Sequence, residues 1–247
     1  MTATAMADLL LDARMNAKRI RWQDITVKNR AEAYAIQDAT MARLGAAGGW
    51  KVGAKTPQDE PACAPLPAAR LLPSGSKATG AFWCLRGVEV EVALRLGCDL
   101  DPHGELLPPE KIINAFDAIF PAIEVVETRL ADWPDSTPLT KLADLQSHGA
   151  LILGAPSAML PAQLDLQTVE ARLAFDGKTV AHTHGGNPAN DVWRMLAWLA
   201  LHCSQRGQPL RAGQIVTTGS CTGMLFAAEG ERVQAELAGI GKVEMQF

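Results

Sequence analysis

Glu89 and Glu91 stand one pleat apart in the stretch GVEVEVALRLG, residues 87–97. Strand side chains alternate, so Val88, Val90 and Val92 share one face and the two glutamates share the other. On that spacing the carboxylates lie roughly 6–7 Å apart, close enough to repel unless water screens them or a cation bridges them. Taken alone, an E-x-E strand reads as a face turned to water. A third carboxylate shifts the reading. Glu124, in AIEVVETR, sits inside an apolar strand, where a charge needs a partner. Glu127 points to the opposite face from Glu124 and reads as an ordinary surface residue. Three carboxylates with no histidine among them make an all-oxygen site, suited to Mg2+ or Mn2+ rather than zinc. Three protein ligands on an octahedral ion leave three positions open. A 2-oxo acid fills two of them with its keto oxygen and its carboxylate.

The elements that hold these side chains follow from periodicity and punctuation. Residues 6–20 and 30–45 read as helices, the second with Asn29 as its N-cap and Gly45 as its stop. GGWKVGA reads as a short strand. Residues 56–75 hold five prolines and read as one long loop. PPEKIINAFDAIF reads as a helix begun by proline, with Ile112, Phe116 and Ile119 on one side. PAIEVVETRL and HGALILG read as strands, and Asp176-Gly177 turns a hairpin in VEARLAFDGKTVAHT. NPANDVWRMLAWLALHCSQRG reads as a helix with Pro188 near its start and Gly207 after its end, and strands at GQIVTTGS and within the C-terminal ERVQAELAGIGKVEMQF complete the pattern. A helical front followed by a β-rich back predicts an α+β fold.

Composition removes several classes. Charged residues make up 20% with net charge −4, and the basic residues are scattered, which argues against nucleic acid as a partner. No apolar run approaches the ~18 residues of a membrane span. The N-terminus lacks the charged start and cleavage site of a secretory signal, so a cytoplasmic location is expected. The five cysteines are widely spaced without a C-x-x-C, which fits reduced buried thiols rather than a disulfide framework or zinc knuckle. His182 and His184 have no third soft ligand nearby and read as a loop-end pair.

Six blocks carry a resemblance: AEAYAIQ, GWKVGA, GVEVEVAL, AIEVVETRLADW, GNPAN…AWLA and LRAGQIVTTGSCTG. In that order, over roughly residues 30–225, they resemble the 2-keto-4-pentenoate hydratase branch of the fumarylacetoacetate hydrolase superfamily. The resemblance implies a catalytic β-roll or distorted-barrel domain over 76–247 with a smaller N-terminal α/β region over 1–75. It implies that Glu89, Glu91 and Glu124 hold Mg2+ or Mn2+, and that Lys51 is an active-site lysine. It also implies that Ser147 and Thr222 line the substrate pocket. His148 occupies the place of a second serine in the family's A-D-N-x-S-S block, here A-D-L-Q-S-H, and is a further substrate-binding candidate. The family's D-Y-G aspartate has no match in the proline-rich loop, where Asp59 and Glu60 lie just upstream.

The activity so implied is metal-dependent addition of water to a 2-hydroxy-2,4-dienoate, giving a 4-hydroxy-2-oxo acid in aromatic-compound catabolism. The alternatives are decarboxylation of a 2-oxo-enedioate of the 4-oxalocrotonate type, C–C hydrolysis as elsewhere in the superfamily, or binding of a 2-oxo acid without turnover. The family commonly assembles into oligomers, so a homo-oligomer is expected.

Overall fold

The two faces of the Gly87–Leu96 strand part company in the computed structural model, which describes residues 1–247. Val88, Val90, Val92 and Leu94 enter the main core, a 54-residue cluster shared with Leu173, Val233, Ala235 and Val243 of a second sheet. Burying this apolar surface is the main source of stability for such an architecture. The opposite face carries Glu89 and Glu91, with Ala93 in a smaller cluster beside Phe120, Ala122 and Leu151.

The larger sheet has eight strands. Across it run Ala62–Pro67, Ala47–Gly53, Ile215–Ser220, Gly87–Leu96, Phe116–Val126, His148–Leu153 and Leu71–Pro73, while Leu225–Phe226 pairs with the start of Gly87–Leu96. The second sheet runs Lys178–His184, Glu170–Phe175, Arg232–Leu237, Gly241–Gln246 and Ser76–Lys77. Helices Ala3–Met15 and Arg30–Leu44 pack together near the front of the chain, and Val192–Gln205 buries Met195, Leu196 and Leu199. The result is α+β, with the helices segregated from two curled sheets.

Several elements form as the sequence predicts. Asn29 accepts from the Glu32 amide and Gly45 ends the same helix at φ +98°. Asp176 and Gly177 both have positive φ, as a tight hairpin turn requires.

Others differ. The expected helix through Phe120 is only Pro109–Asn114, and the apolar run from Phe116 is a strand paired on both sides. Phe116 and Ile119 therefore belong to that strand, since a short apolar run satisfies either period. The first helix is Ala3–Met15, starting from a Thr2 cap, rather than 6–20. The proline-rich loop contains two strands, Ala62–Pro67 and Leu71–Pro73. They form the two edges of the large sheet, where a missing N–H breaks no ladder. Glu127 is fully buried rather than a surface residue. It accepts from the amides of Cys84, Leu85 and Thr128 and pairs with Arg19 at 2.7 Å.

Candidate metal centre

Sheet register brings the acidic residues together. Glu89 on Gly87–Leu96 lies directly opposite Glu124 on Phe116–Val126, and Glu91 is two residues along on the same face. Like charges directly opposite each other destabilise a sheet unless something positive joins them. One oxygen from each of the three carboxylates lies within 4.8 Å of the others. Glu91 is 2% exposed and Glu124 is fully buried, so water screens these two poorly, while Glu89 is half-buried.

Lys51 reaches this face from the Ala47–Gly53 strand. Its neighbours Trp50 and Val52 point into the main core, which leaves Lys51 with the glutamates. Its Nζ donates to Glu124 Oε1 at 2.5 Å and to the Gln146 carbonyl at 3.3 Å. Burial alone would lower the Lys51 pKa, but Glu124, Glu89 and Glu91 outweigh it and hold the ammonium above its ordinary value. Burial would likewise raise Glu124, but Lys51 and then His148 hold it down at about 2. Glu89 is pushed up to about 7 by burial and then by the charge of Glu124. Glu91 is pushed well above the carboxylate range by burial, Glu124 and Glu89.

This imbalance describes what the site is suited to hold. Three carboxylates and one ammonium leave two negative charges, matching one divalent cation. Glu124 Oε2 is buried without a hydrogen-bond partner. A hard cation suits both observations, since an unpaired buried oxygen is costly and carboxylate oxygens are its natural ligands.

The Ile215–Ser220 strand supplies a backbone donor. Its register against Gly87–Leu96 slips between Thr217 and Ser220, a bulge that re-aims the chain. Within the bulge Gly219 has φ +90°, a conformation that glycine adopts at little cost. Its amide donates to Glu91 Oε2 at 3.1 Å. The buried Asn187 holds the bulge by donating to the carbonyls of Thr218 and Gly219.

On the other side, Leu145, Gln146 and Ser147 are three successive non-glycine residues with positive φ. Such strain persists only where the surroundings enforce it. Here a buried frame does so. Arg129 pairs with Asp144 at 2.5 Å, donates to the carbonyls of Asp144 and His148, and Thr128 donates to Asp144. The turned backbone presents the Gln146 carbonyl to Lys51.

A cavity of about 810 Å³ opens on this group. Lys51, Glu89, Gln146 and Ser147 line one part, with Trp133, Leu142 and Met224 as apolar wall. An adjoining cavity of about 460 Å³ is lined by Glu89, Glu91, Gly219 and Asn187. Ser147 Oγ accepts from Trp133 Nε1 at 2.8 Å, which leaves its own O–H free for a ligand.

The remaining sequence candidates are placed differently. His148 is buried with Nδ1 3.3 Å from Glu124 Oε1, its pKa lowered by burial to about 4, and it lines neither cavity. Thr222 Oγ1 accepts from the Val90 amide and donates to the Gly223 carbonyl, and it also lines neither cavity. Asp59 and Glu60 do line the larger cavity, at its exposed end. Gln146, Trp133, Gly219 and Asn187 are contributors that sequence patterns did not single out. Only Gly219 carried a signal, as a glycine interrupting a strand.

Fold and site together define a protein of the fumarylacetoacetate hydrolase class with a cluster of three converging carboxylates. Residues 48–247 match the fumarylacetoacetate (FAA) hydrolase C-terminal family, and the chain belongs to it. It is 34% identical over 164 residues to a 2-keto-4-pentenoate hydratase of Paraburkholderia xenovorans (strain LB400). That alignment covers 65% of this chain and spans 58% of the relative's length. Against 2-keto-4-pentenoate hydratase 2 of Dechloromonas aromatica (strain RCB) it is 29% identical over 238 residues, 90% of this chain and 88% of the relative. The fold is also that of 4-oxalocrotonate decarboxylase from Pseudomonas putida G7, solved with magnesium and adipate. The TM-score is 0.86 at 23% identity, covering 99% of this chain and 97% of that one.

Proposed function

We propose that the chain is a divalent-metal-dependent hydratase that adds water to a 2-hydroxy-2,4-dienoate and yields a 4-hydroxy-2-oxo acid. The observation that carries this reading is the convergence of Glu89, Glu91 and Glu124 beside Lys51, with Lys51 and Glu89 on the walls of two adjoining cavities. The similarity to proteins named 2-keto-4-pentenoate hydratase supports the reaction type.

In the overall reaction the C2 enol loses its proton while C5 gains one, giving a conjugated 2-oxo-3-enoate. Water then adds its oxygen at C4 and a proton arrives at C3. Glu89, Glu91 and Glu124 would hold Mg2+ or Mn2+, which would supply Lewis acidity for the charge that develops on the C2 oxygen. Lys51 stays protonated, with two of its three donors on Glu124 and Gln146, and turns the third to the substrate carboxylate. Ser147 donates its free O–H to the substrate, fixed in place by Trp133. Trp133, Leu142 and Met224 pack on the diene and limit water to the position of attack.

The physiological setting we infer is cytoplasmic catabolism of aromatic compounds by a homo-oligomer. No helix is long and apolar enough to cross a membrane. The deciding assay mixes purified protein with a 2-hydroxy-2,4-dienoate and Mg2+ or Mn2+, then identifies the product by mass. Gain of one water, abolished by chelator and restored by metal, is the expected result. Loss of CO2 from an enedioate substrate, two fragments, or ligand binding without product would overturn it in favour of a decarboxylase, a hydrolase or a binder respectively.

A further inference from the structure

Two donors meet on one oxygen of Glu124. Lys51 Nζ lies 2.5 Å from Oε1, and His148 Nδ1 lies 3.3 Å from the same atom. The other oxygen, Oε2, is buried without a partner. An ionised carboxylate only accepts, so the contact places the ring hydrogen of His148 on Nδ1. His148 Nε2 is buried and has no partner. The ring lines neither cavity, and the hydration chemistry leaves it unused.

His148 reaches Glu124 through an irregularity in the sheet. Glu124 lies directly opposite Leu151, and Val125 lies opposite Ala150. The register then slips by one residue, so that Val126 pairs with His148 and Gly149 is left over. A Cβ at Gly149 would sit 2.7 Å from the Val125 carbonyl oxygen and 2.8 Å from Glu127 Cβ, so glycine is the residue that fits. In an unbroken strand His148 and Leu151 would point to opposite faces. The extra residue brings His148 onto the face that carries Leu151 and Glu124, the re-aiming that a bulge performs. The backbone there is anchored as well, since the His148 carbonyl accepts from Arg14 at 3.0 Å and from Arg129 at 2.9 Å. A fully buried ring on an anchored strand holds a carboxylate more firmly than a lysine on its flexible four-carbon stem.

We propose that His148 is a positioning residue of the metal centre: together with Lys51 it occupies Oε1 of Glu124 and leaves Oε2 as the oxygen offered to the divalent ion. It acts through the ligand and does not touch the ion or the substrate. This inference rests on the proposed metal reading of the three glutamates, and it holds for hydration and decarboxylation alike.

The test is Mn2+ binding to the full chain after removal of metal by chelator, read from the electron paramagnetic resonance signal of the free ion. His148→Asn keeps a donor near the place of Nδ1. His148→Gln moves the donor to the place of Nε2, and His148→Leu removes it. The Mn2+ dissociation constant should stay near the wild-type value in His148→Asn and rise about tenfold or more in His148→Gln and His148→Leu. Far-UV circular dichroism and thermal unfolding without metal check the fold of each variant. If His148→Leu does not fold, the asparagine–glutamine comparison decides, because a packing role would not separate the two ring nitrogens. Unchanged affinity in a folded His148→Gln or His148→Leu, or equal loss in all three variants, overturns the proposal. A wild-type chain that does not bind Mn2+ overturns this proposal and the metal reading together. The expected binding pattern without hydration of any dienoate overturns the hydratase reading alone and supports the role of His148.

Discussion

Lys51 sets one positive charge among three carboxylates, two of them buried, and the local balance of the site depends on it. The proposed divalent ion would complete that balance, so its binding should be measurable without any substrate. Mn2+ at about 100 times its dissociation constant should stabilise the folded chain by about 2.7 kcal/mol. Glu91→Gln keeps the side-chain shape but removes one ligand, and should abolish that rise. Thermal unfolding with and without Mn2+ checks both. Away from the site, Tyr34 is the only tyrosine, so its ionisation can be followed by tyrosinate absorbance. Burial first, and then the charge of Cys63, push its pKa up to about 12, against the hydrogen bond from Arg30. The unfolded chain gives up this proton near the ordinary value of about 10. The folded state therefore holds more protons between those values. Stability should fall by roughly 2–3 kcal/mol as pH rises from about 10 through about 12. A midpoint near 10 in the folded protein would contradict this. At this scale much of the centre was legible, because an E-x-E strand and a glutamate in an apolar run both carry physical signals. Glu127 was not, because the amides that justify its burial come from residues 84 and 85, far away in sequence.

Elements set the geometry, and two of them do so through unusual backbone. The bulge at Thr218-Gly219 turns an amide toward Glu91, and the left-handed run Leu145–Ser147 turns a carbonyl toward Lys51. The second depends on the buried Arg129–Asp144 pair. Arg129→Met should destabilise the fold by about 3–5 kcal/mol, because Asp144 would be left buried and unpaired. Adding Asp144→Leu should recover part of that loss, since no charge then remains uncompensated. Urea denaturation of the single and double variants is the measurement. No residue type in Leu-Gln-Ser announces positive φ, so this turn and the position of Gln146 were invisible in the sequence. The strand from Phe116 was hidden for another reason. Its residues are apolar on both faces and fit a helix as well as a strand.

Across the whole molecule one core dominates. Its main cluster takes Met6 and Leu10 from the first helix, Trp50 from the early strand and Phe247 at the far end of the chain. The chain should therefore lose tryptophan burial and secondary structure in one coincident transition, measured by fluorescence and far-UV circular dichroism. A separate early step confined to one signal would argue against a shared core. The α+β class was readable from the order of helices and strands, whereas the joining of early and late strands into one sheet was not, since the partners Gly49 and Ile215, and the pairs beside them, lie 166 residues apart. The outermost strands of that sheet carry Pro65, Pro67 and Pro73. Each proline withholds a donor that an incoming chain would need, so ribbon-like growth from either rim is disfavoured. Copies of this protein that associate are then not joined by continuation of this larger sheet, and how their remaining surfaces fit sets the size of the assembly.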